Sequence, residues 1–226
     1  MMRKFVNVVR YFEKPMENYK RTIETYDSVA INYEEKFMDM DLYDETYDYF
    51  CSLLKNESKV LDIGCGPGNI SKYLIKIRPD LKITGIDLSL NMINRAKINV
   101  PTGEFIVKDA LKIDELIGLF HGIVVGFCFP YLNREDCGRL IKQTSKKLEP
   151  NGLLYISTME DDYEKSGYET TSFSDGKEVF VYYHQEDILK TELEHNGFEI
   201  LKLERKDYPE SDGTFLTDMI IIAQKK

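Results

Sequence analysis

Twelve residues, Val60-Leu61-Asp62-Ile63-Gly64-Cys65-Gly66-Pro67-Gly68-Asn69-Ile70-Ser71, constrain the fold more tightly than any other part of the chain. An apolar run (Val60, Leu61, Ile63) ends in glycines at three alternate positions, and Ile70, Tyr73, Leu74 and Ile77 then recur at helical spacing. The pattern predicts a strand, a glycine turn and a helix in immediate succession. Glycine belongs where the backbone turns tightly or lets a ligand approach the main chain. The first N–H groups of the following helix lack intrahelical partners and offer donors to a polar ligand. A tight turn that binds nothing satisfies the same pattern, so the glycines alone do not decide function.

Three acids narrow the choice. Asp62 interrupts an otherwise apolar strand, where an unpaired carboxylate is costly. A second strand-like run, Ile83-Thr84-Gly85-Ile86, ends at Asp87, about twenty residues past the glycines. Nucleotide-binding α/β folds place there the carboxylate that accepts ribose hydroxyls. A third run, Phe105-Ile106-Val107-Lys108, ends at Asp109-Ala110. Three successive strands thus each carry an acid at or near the end where ligands collect.

Taken together, Val60 to Gly68, Gly85-Ile86-Asp87-Leu88-Ser89, Lys108-Asp109-Ala110 and Leu148-Glu149-Pro150-Asn151-Gly152 resemble the class I S-adenosylmethionine-dependent methyltransferases, above all their compact small-molecule branch. The resemblance runs from about Tyr26 to the C-terminus. It implies S-adenosyl-L-methionine as cofactor and in-line transfer of its methyl group to an O, N or C nucleophile of a small-molecule substrate. It further implies that Gly64, Cys65 and Gly66 hold the methionine portion, with Asp62 near its amino group, and that Asp87 takes the ribose hydroxyls. Leu88 and Met92 are then expected to flank the adenine, Asp109 beside Ala110 to accept from its exocyclic amine, and Phe127 to lie where donor and acceptor meet. Tyr26-Asp27-Ser28-Val29-Ala30-Ile31-Asn32-Tyr33 matches a Tyr-Asp-x-x-Ala-x-x-Tyr pattern in a helix that folds over the cofactor in this family, which puts Tyr33 close to the cofactor.

The rest of the chain is organised to suit. Its 226 residues fit one domain over 1–226, with residues 1–55 as a helical cap and 159–182 as a polar insertion. Residues 1–16 read as a leader with a break at Pro15. An amphipathic helix is expected from Glu17 through Tyr33, and a second around Tyr43, Tyr47, Phe50 and Leu54. Ser89 and Asn133 are expected N-caps. The fourth strand is expected over Ile123 to Phe127 and the fifth over Leu153 to Ser157, followed by short strands around Ser174-Asp175-Gly176-Lys177 and a helix from Gln185 to Asn196. Strand–helix alternation implies right-handed crossovers and a parallel sheet with ligands at its carboxyl ends. Phe198 to Glu204 and Phe215 to Gln224 then form a closing hairpin. The expected fold is α/β, a doubly wound, Rossmann-like and mostly parallel seven-stranded sheet with an antiparallel C-terminal strand. A nucleotide-dependent oxidoreductase normally continues with further βα units or a second domain; that reading and a non-catalytic S-adenosylmethionine-binding module are the alternatives.

Charge and cysteine content exclude other classes. A net charge of −9 and a pI near 5.0 argue against binding a phosphate backbone, so no nucleic-acid partner is expected. Cys51, Cys65, Cys128 and Cys137 show no metal spacing, which predicts reduced thiols in a cytoplasmic protein with no zinc site. No apolar run is long enough to span a membrane. Nine acids and one base, Lys36, between Glu24 and Asp48 read either as a solvated helix face or as an acidic rim that attracts cationic or amine-bearing substrates. His121 precedes a strand and is expected to be structural. The segment after the fourth strand, Cys128-Phe129-Pro130-Tyr131, lacks the Asp or Asn that nucleic-acid amino-methyltransferases carry there. The acceptor and the oligomeric state are not legible. The weak candidates for a catalytic base are His184 and Tyr183, at the end of the polar insertion.

Overall fold

A computed structural model of the chain describes residues 18–170, 174, 176–210 and 213–226. The expected leader over residues 1–16, Asp175 in the expected hairpin turn, and residues 211–212 in the closing one lie outside them. Helix α1 covers 18–28, followed by α2 (Ala30–Phe37) and α3 (Asp44–Leu53). Then come β1 (Lys59–Ile63), α4 (Asn69–Ile77), β2 (Lys82–Asp87), α5 (Leu90–Asn99), β3 (Glu104–Val107) and β4 (Phe120–Gly126). The chain continues through α6 (Arg134–Lys147), β5 (Leu148–Glu160), β6 (Gly167–Thr170), β7 (Glu178–Val181), α7 (Glu186–His195), β8 (Phe198–Pro209) and β9 (Phe215–Lys225).

Seven strands form one sheet in the order β3-β2-β1-β4-β5-β9-β8, and β6 pairs with β7 in a separate hairpin. Strands β1 to β5 pair in parallel, while β9 is antiparallel to both β5 and β8. This is the expected doubly wound sheet with an antiparallel closing strand. The continuous apolar character of the central strands follows from burial on both faces. Leu61, Ile123 and Leu154 pack under α6 and α7 on one face, and Val60, Val124 and Tyr155 under α3, α4 and α5 on the other. Phe50 of α3 is fully buried against Tyr155, their ring centroids 5.9 Å apart; a buried ring of this size is worth about 1.5–3 kcal/mol.

Local signals were honoured where no tertiary contact competed. The Ser89 hydroxyl caps α5 by accepting the Met92 N–H at 3.1 Å, and Asn133 Oδ1 caps α6 through the Asp136 N–H at 2.9 Å. Three expectations shifted. The single helix from Glu17 to Tyr33 is broken at Val29 (φ −117°, ψ 20°), because Asp27 is drawn onto the start of α5. There Asp27 Oδ1 accepts from the Ser89 hydroxyl at 2.6 Å and the Asn91 N–H at 3.0 Å, and tertiary hydrogen bonds of this kind outweigh helix propensity. The fifth strand extends well beyond Leu153 to Ser157, since β9 accompanies it as far as the Glu160–Thr217 pair. The fourth begins earlier, at Phe120, and stops at Gly126, leaving Phe127 turned off its end.

Candidate functional site

The strand order reverses between β1 and β4, the place where open α/β sheets leave a crevice beyond their carboxyl ends. Chain connectivity brings the glycine turn to one side of this crevice and Phe127 to the other. Gly64 and Gly66 sit at φ +68° and +53°, in the left-handed region that favours glycine. A side chain at Gly64 would meet the Cys128 Cβ at 3.1 Å, so the turn passes close under the segment after β4. The N–H groups of Gly64 and Cys65 donate to the Ile86 carbonyl at 2.8 and 3.0 Å, which ties the turn to the end of β2.

Asp87 fixes both halves of this arrangement. Its Oδ2 accepts the Gly66 N–H at 3.0 Å and its Oδ1 the Ser89 N–H at 2.8 Å. Burial raises its pKa, opposed by those two N–H groups. Asp62 lies deeper, fully buried, with Oδ2 accepting the Ser71 hydroxyl at 2.6 Å and Oδ1 without a partner among the described residues. Burial pushes its carboxyl up to about 6.

Two cavities meet in the crevice. The smaller, about 110 Å³, is bordered by Gly64, Gly66, Asp87, Leu88, Met92 and Ala110, with Tyr19 and Tyr26 of α1 above. The larger, about 450 Å³, lies toward α2, α3 and the end of β9. Tyr26, Tyr33, Phe127 and Tyr131 border both and form the partition between them. In that partition the Tyr26 and Tyr131 hydroxyls hydrogen-bond, and the Tyr26 ring lies 5.0 Å from Tyr131 and 5.7 Å from Tyr33. Phe127 adopts φ +51°, an unusual conformation for a bulky residue. Its N–H donates to the Ser157 carbonyl at 3.0 Å, which holds the turn that puts the ring on the boundary.

The roof is built from segments distant in sequence. Arg21 of α1 pairs with Glu178 of β7 at 2.8 Å, and Lys177 Nζ donates to the Ser28 hydroxyl at 2.6 Å. The β6–β7 hairpin is in turn fastened to the segment after β4 by the Tyr182 N–H and the Pro130 carbonyl, 2.7 Å apart. Exposed pairs such as Arg21–Glu178 contribute at most about 1 kcal/mol each, so this roof is held less firmly than the sheet beneath it.

The expected site residues therefore fall into three groups. Tyr33, Gly64, Gly66, Asp87, Leu88, Met92, Ala110 and Phe127 border the smaller cavity. Asp62, Cys65 and Asp109 stand behind it rather than on its wall. Cys65 is buried beneath the turn, and Asp109 Oδ1 accepts the Leu111 N–H at 2.8 Å and the Tyr19 hydroxyl at 3.2 Å. His184 and Tyr183 border neither cavity. The His184 ring is buried, with Nε2 2.9 Å from the Phe129 carbonyl, and burial lowers its pKa. The Tyr183 hydroxyl donates to Glu169 at 2.7 Å. Their sequence neighbourhood suggested a base, but the strand-like geometry of 182–184 turns the imidazole into the protein interior.

His121 is also structural in its setting, its Nδ1 accepting the Lys59 N–H at 2.9 Å at the amino end of the sheet. The Cys128 thiol, pushed up to about 12 by burial, is a poor nucleophile. Among the described residues no group of three His, Cys, Asp or Glu is placed to hold a metal ion, and no helix is long and apolar enough to cross a membrane.

Three contributors were not read from the sequence. Tyr19 joins the site through the folding of α1 over the crevice and Tyr131 through the turn after β4, and no local pattern announces either. Asp218 was readable: it is a lone acid inside an apolar strand, the same signal that singled out Asp62. It is 3% exposed, borders the larger cavity and accepts the Tyr43 hydroxyl at 2.6 Å.

Comparison with known proteins accords with this geometry. A family profile described as a methyltransferase domain matches residues 33–203, more than half of the chain. Demethylmenaquinone methyltransferase of Thermotoga maritima is 36% identical over 101 residues, covering 45% of this chain and 43% of that protein. The chain thus spans under half the length of the first curated relatives it matches. Among solved structures, a SAM-dependent methyltransferase from Methanosarcina mazei superposes with a TM-score of 0.66 at 22% identity, over 77% of this chain and 95% of that one. Magnesium protoporphyrin IX methyltransferase from Synechocystis PCC 6803 with bound SAM gives a TM-score of 0.60 at 18% identity, over 82% and 80%. With the sheet order, the glycine turn and the acids of β1 and β2 in place, the family match leads to one conclusion: the chain belongs to the class I S-adenosylmethionine-dependent methyltransferases.

Proposed function

We propose that this protein transfers a methyl group from S-adenosylmethionine to a small-molecule acceptor, with the donor in the smaller cavity and the acceptor in the larger. The observation that carries this reading is the meeting of the two cavities at Tyr26, Tyr33, Phe127 and Tyr131, directly beside the glycine turn. The residues present fit the donor. Gly66 leaves its backbone open, a side chain there finding only Tyr33 and Asn69 within 4 Å, at 3.7 and 3.9 Å. Asp62 carries a buried oxygen in want of a donor. S-adenosylmethionine, when bound, would supply a sulfonium methyl open to in-line attack, with the thioether as leaving group.

The chain's own residues hold and orient. Asp87 keeps lone pairs beyond those given to Gly66 and Ser89, and these accept the ribose hydroxyls. Asp62 sets a negative charge beneath the turn for the amino group of the methionine portion, and Leu88 and Met92 flank the adenine. Asp109, beside Ala110, accepts from the exocyclic amine once Tyr19 withdraws. Phe127 and the partition tyrosines exclude water at the boundary, and such positioning supplies several kcal/mol of barrier reduction. A cavity of about 110 Å³ falls short of the roughly 300 Å³ or more of ordinary ligand sites, so α1 has to lift for the donor to bind.

A small acceptor accords with a cavity of about 450 Å³ and with the printed names of relatives that act on demethylmenaquinone and trans-aconitate. The acidic chain, without a long apolar helix among its described residues, accords with a cytoplasmic enzyme that does not bind nucleic acid. The test is calorimetry with S-adenosylmethionine, S-adenosylhomocysteine and NAD, followed by radiolabel transfer from the methyl donor to a panel of small acceptors. Tight binding of the first two and labelled product are expected. NAD binding in their place overturns the donor, and donor binding without any labelled product favours the non-catalytic module.

A further inference from the structure

We propose that Asp218, held by Tyr43 in the wall of the larger cavity, binds the acceptor and takes its proton, and that this acceptor is a primary or secondary amine on an apolar body. The inference rests on the methyl-transfer reading above and deepens it.

Place is the first argument. In β9, Asp218 stands opposite Met159 of β5, and both border the larger cavity. Ser157, two residues before Met159, holds the N–H of Phe127 on the partition. Two residues of strand span about 7 Å, so Asp218 lies one substrate-length from the boundary where the methyl group arrives. Tyr43 links them, its hydroxyl on Asp218 and its ring 5.2 Å from that of Phe127.

The second argument is the unmet charge. Asp218 is almost wholly buried, yet Tyr43 is its single hydrogen-bond partner among the described residues, on Oδ2. Lys206 is its register neighbour on β8, but that ammonium is engaged with Glu204 at 2.8 Å and Glu45 at 3.4 Å. A buried carboxylate with no paired cation is costly to the fold, and a ligand ammonium removes that cost. The walls suit such a guest, since Tyr26, Tyr33, Tyr43 and Tyr131 surround the cavity with aromatic rings that attract cations. Among the described residues six carboxylates border it against three lysines, one of which, Lys72, is paired with Asp39 at 3.4 Å. An amine is drawn into this field and a carboxylate-bearing acceptor is repelled. The other acid near the roof, Glu169, is occupied by Tyr183, and His184 is sealed from the cavity.

The proton count closes without a further reagent. The acceptor arrives as an ammonium beside the ionised carboxylate; one N–H proton moves to Asp218, giving a neutral amine and a neutral carboxyl with no change in net charge. The freed nitrogen lone pair is the nucleophile. The methylated nitrogen leaves as a cation, and Asp218 then returns its proton to water. Burial pushes Asp218 up to about 7, with Tyr43 opposing and Glu210 adding, which suits a group that holds the proton only briefly. Facing it from α3 and its approach are Tyr43, Tyr47 and Glu45, and from β5 Tyr155. From β8 and beyond come Glu204, Lys206, Tyr208 and Glu210.

The experiment separates the two readings in order. Calorimetry with S-adenosylhomocysteine first tests the donor site, and Asp218→Asn is expected to leave that affinity within about twofold, because Asp218 does not border the donor cavity. On the complex with S-adenosylhomocysteine, 2-phenylethylamine is then compared with 2-phenylethanol and 3-phenylpropionate. The amine is expected to bind, the other two more weakly by about tenfold or more, and Asp218→Asn to lose about 10- to 100-fold in amine affinity. With S-adenosylmethionine, kcat/KM for the amine should rise with pH through about 7 and fall above the amine's own pKa. In Asp218→Asn the lower limb should vanish. Equal binding of the alcohol or the carboxylate overturns the acceptor class. Unchanged amine affinity and an unchanged acidic limb in Asp218→Asn overturn the residue. Failure of S-adenosylhomocysteine to bind overturns the donor reading instead.

Discussion

Asp87 gives the sharpest test of the donor site, because its loss has two separable consequences. Asp87→Asn keeps the side-chain shape but replaces one carboxylate oxygen with an NH2 group. In the protein both oxygens accept main-chain N–H groups, from Gly66 at 3.0 Å and Ser89 at 2.8 Å. The amide can satisfy only one of them and sets a donor against the other. Leaving one buried N–H unmatched costs about 1–3 kcal/mol of folding stability. The second consequence is on the ligand. Hydrogen bonds from ribose hydroxyls to a charged acceptor are worth about 1.5–3 kcal/mol each. Losing the charge and one of two acceptors should weaken S-adenosylhomocysteine by at least 1.4 kcal/mol, which is about tenfold in Kd. Urea unfolding measures the first effect and calorimetry the second, at a denaturant-free temperature well below the melting point of the variant. A variant destabilised as expected that still binds S-adenosylhomocysteine with the wild-type Kd refutes the ribose assignment: Asp87 would then be only the strut that shapes the turn.

Two other outcomes follow from the same geometry. The Asp62 carboxyl is held at about 6 in the folded protein, above the ordinary value of about 3.9, so its contribution to stability is full below pH 4 and is lost as pH rises through 6. Relative to wild type, Asp62→Asn should therefore gain about 3 kcal/mol between pH 4 and 8 in the absence of ligand, read by urea titration, and parallel curves would contradict the buried-acid account. His184→Ala should lower stability by about 1–3 kcal/mol through loss of its bond to the Phe129 carbonyl, and Tyr183→Phe should be milder. Neither should alter the pH profile of methyl transfer, and a displaced profile would return one of them to the reaction.

The features legible in the sequence were those set by local rules. Alternate glycines at 64, 66 and 68 demanded a turn, and the backbone takes up positive φ at all three. Ser89 and Asn133 cap helices where their spacing said they would. Continuous apolar runs read as buried parallel strands, and the changed rhythm after residue 197 read as the closing antiparallel pair. What lay beyond the sequence was set by contacts between distant segments. The break at Val29 exists because Asp27 meets the start of α5, 62 residues on. The partition between the cavities needs Tyr26 and Tyr131, 105 residues apart, to face one another. His184 is turned inward and Asp218 is set on the cavity wall for the same reason. Sequence shows that an imidazole or a carboxylate is present, but the packing of distant segments decides which of them borders a cavity. Here the imidazole is spent on a main-chain carbonyl inside the protein, and the carboxylate stands at the cavity wall with one tyrosine as its hydrogen-bond partner among the described residues.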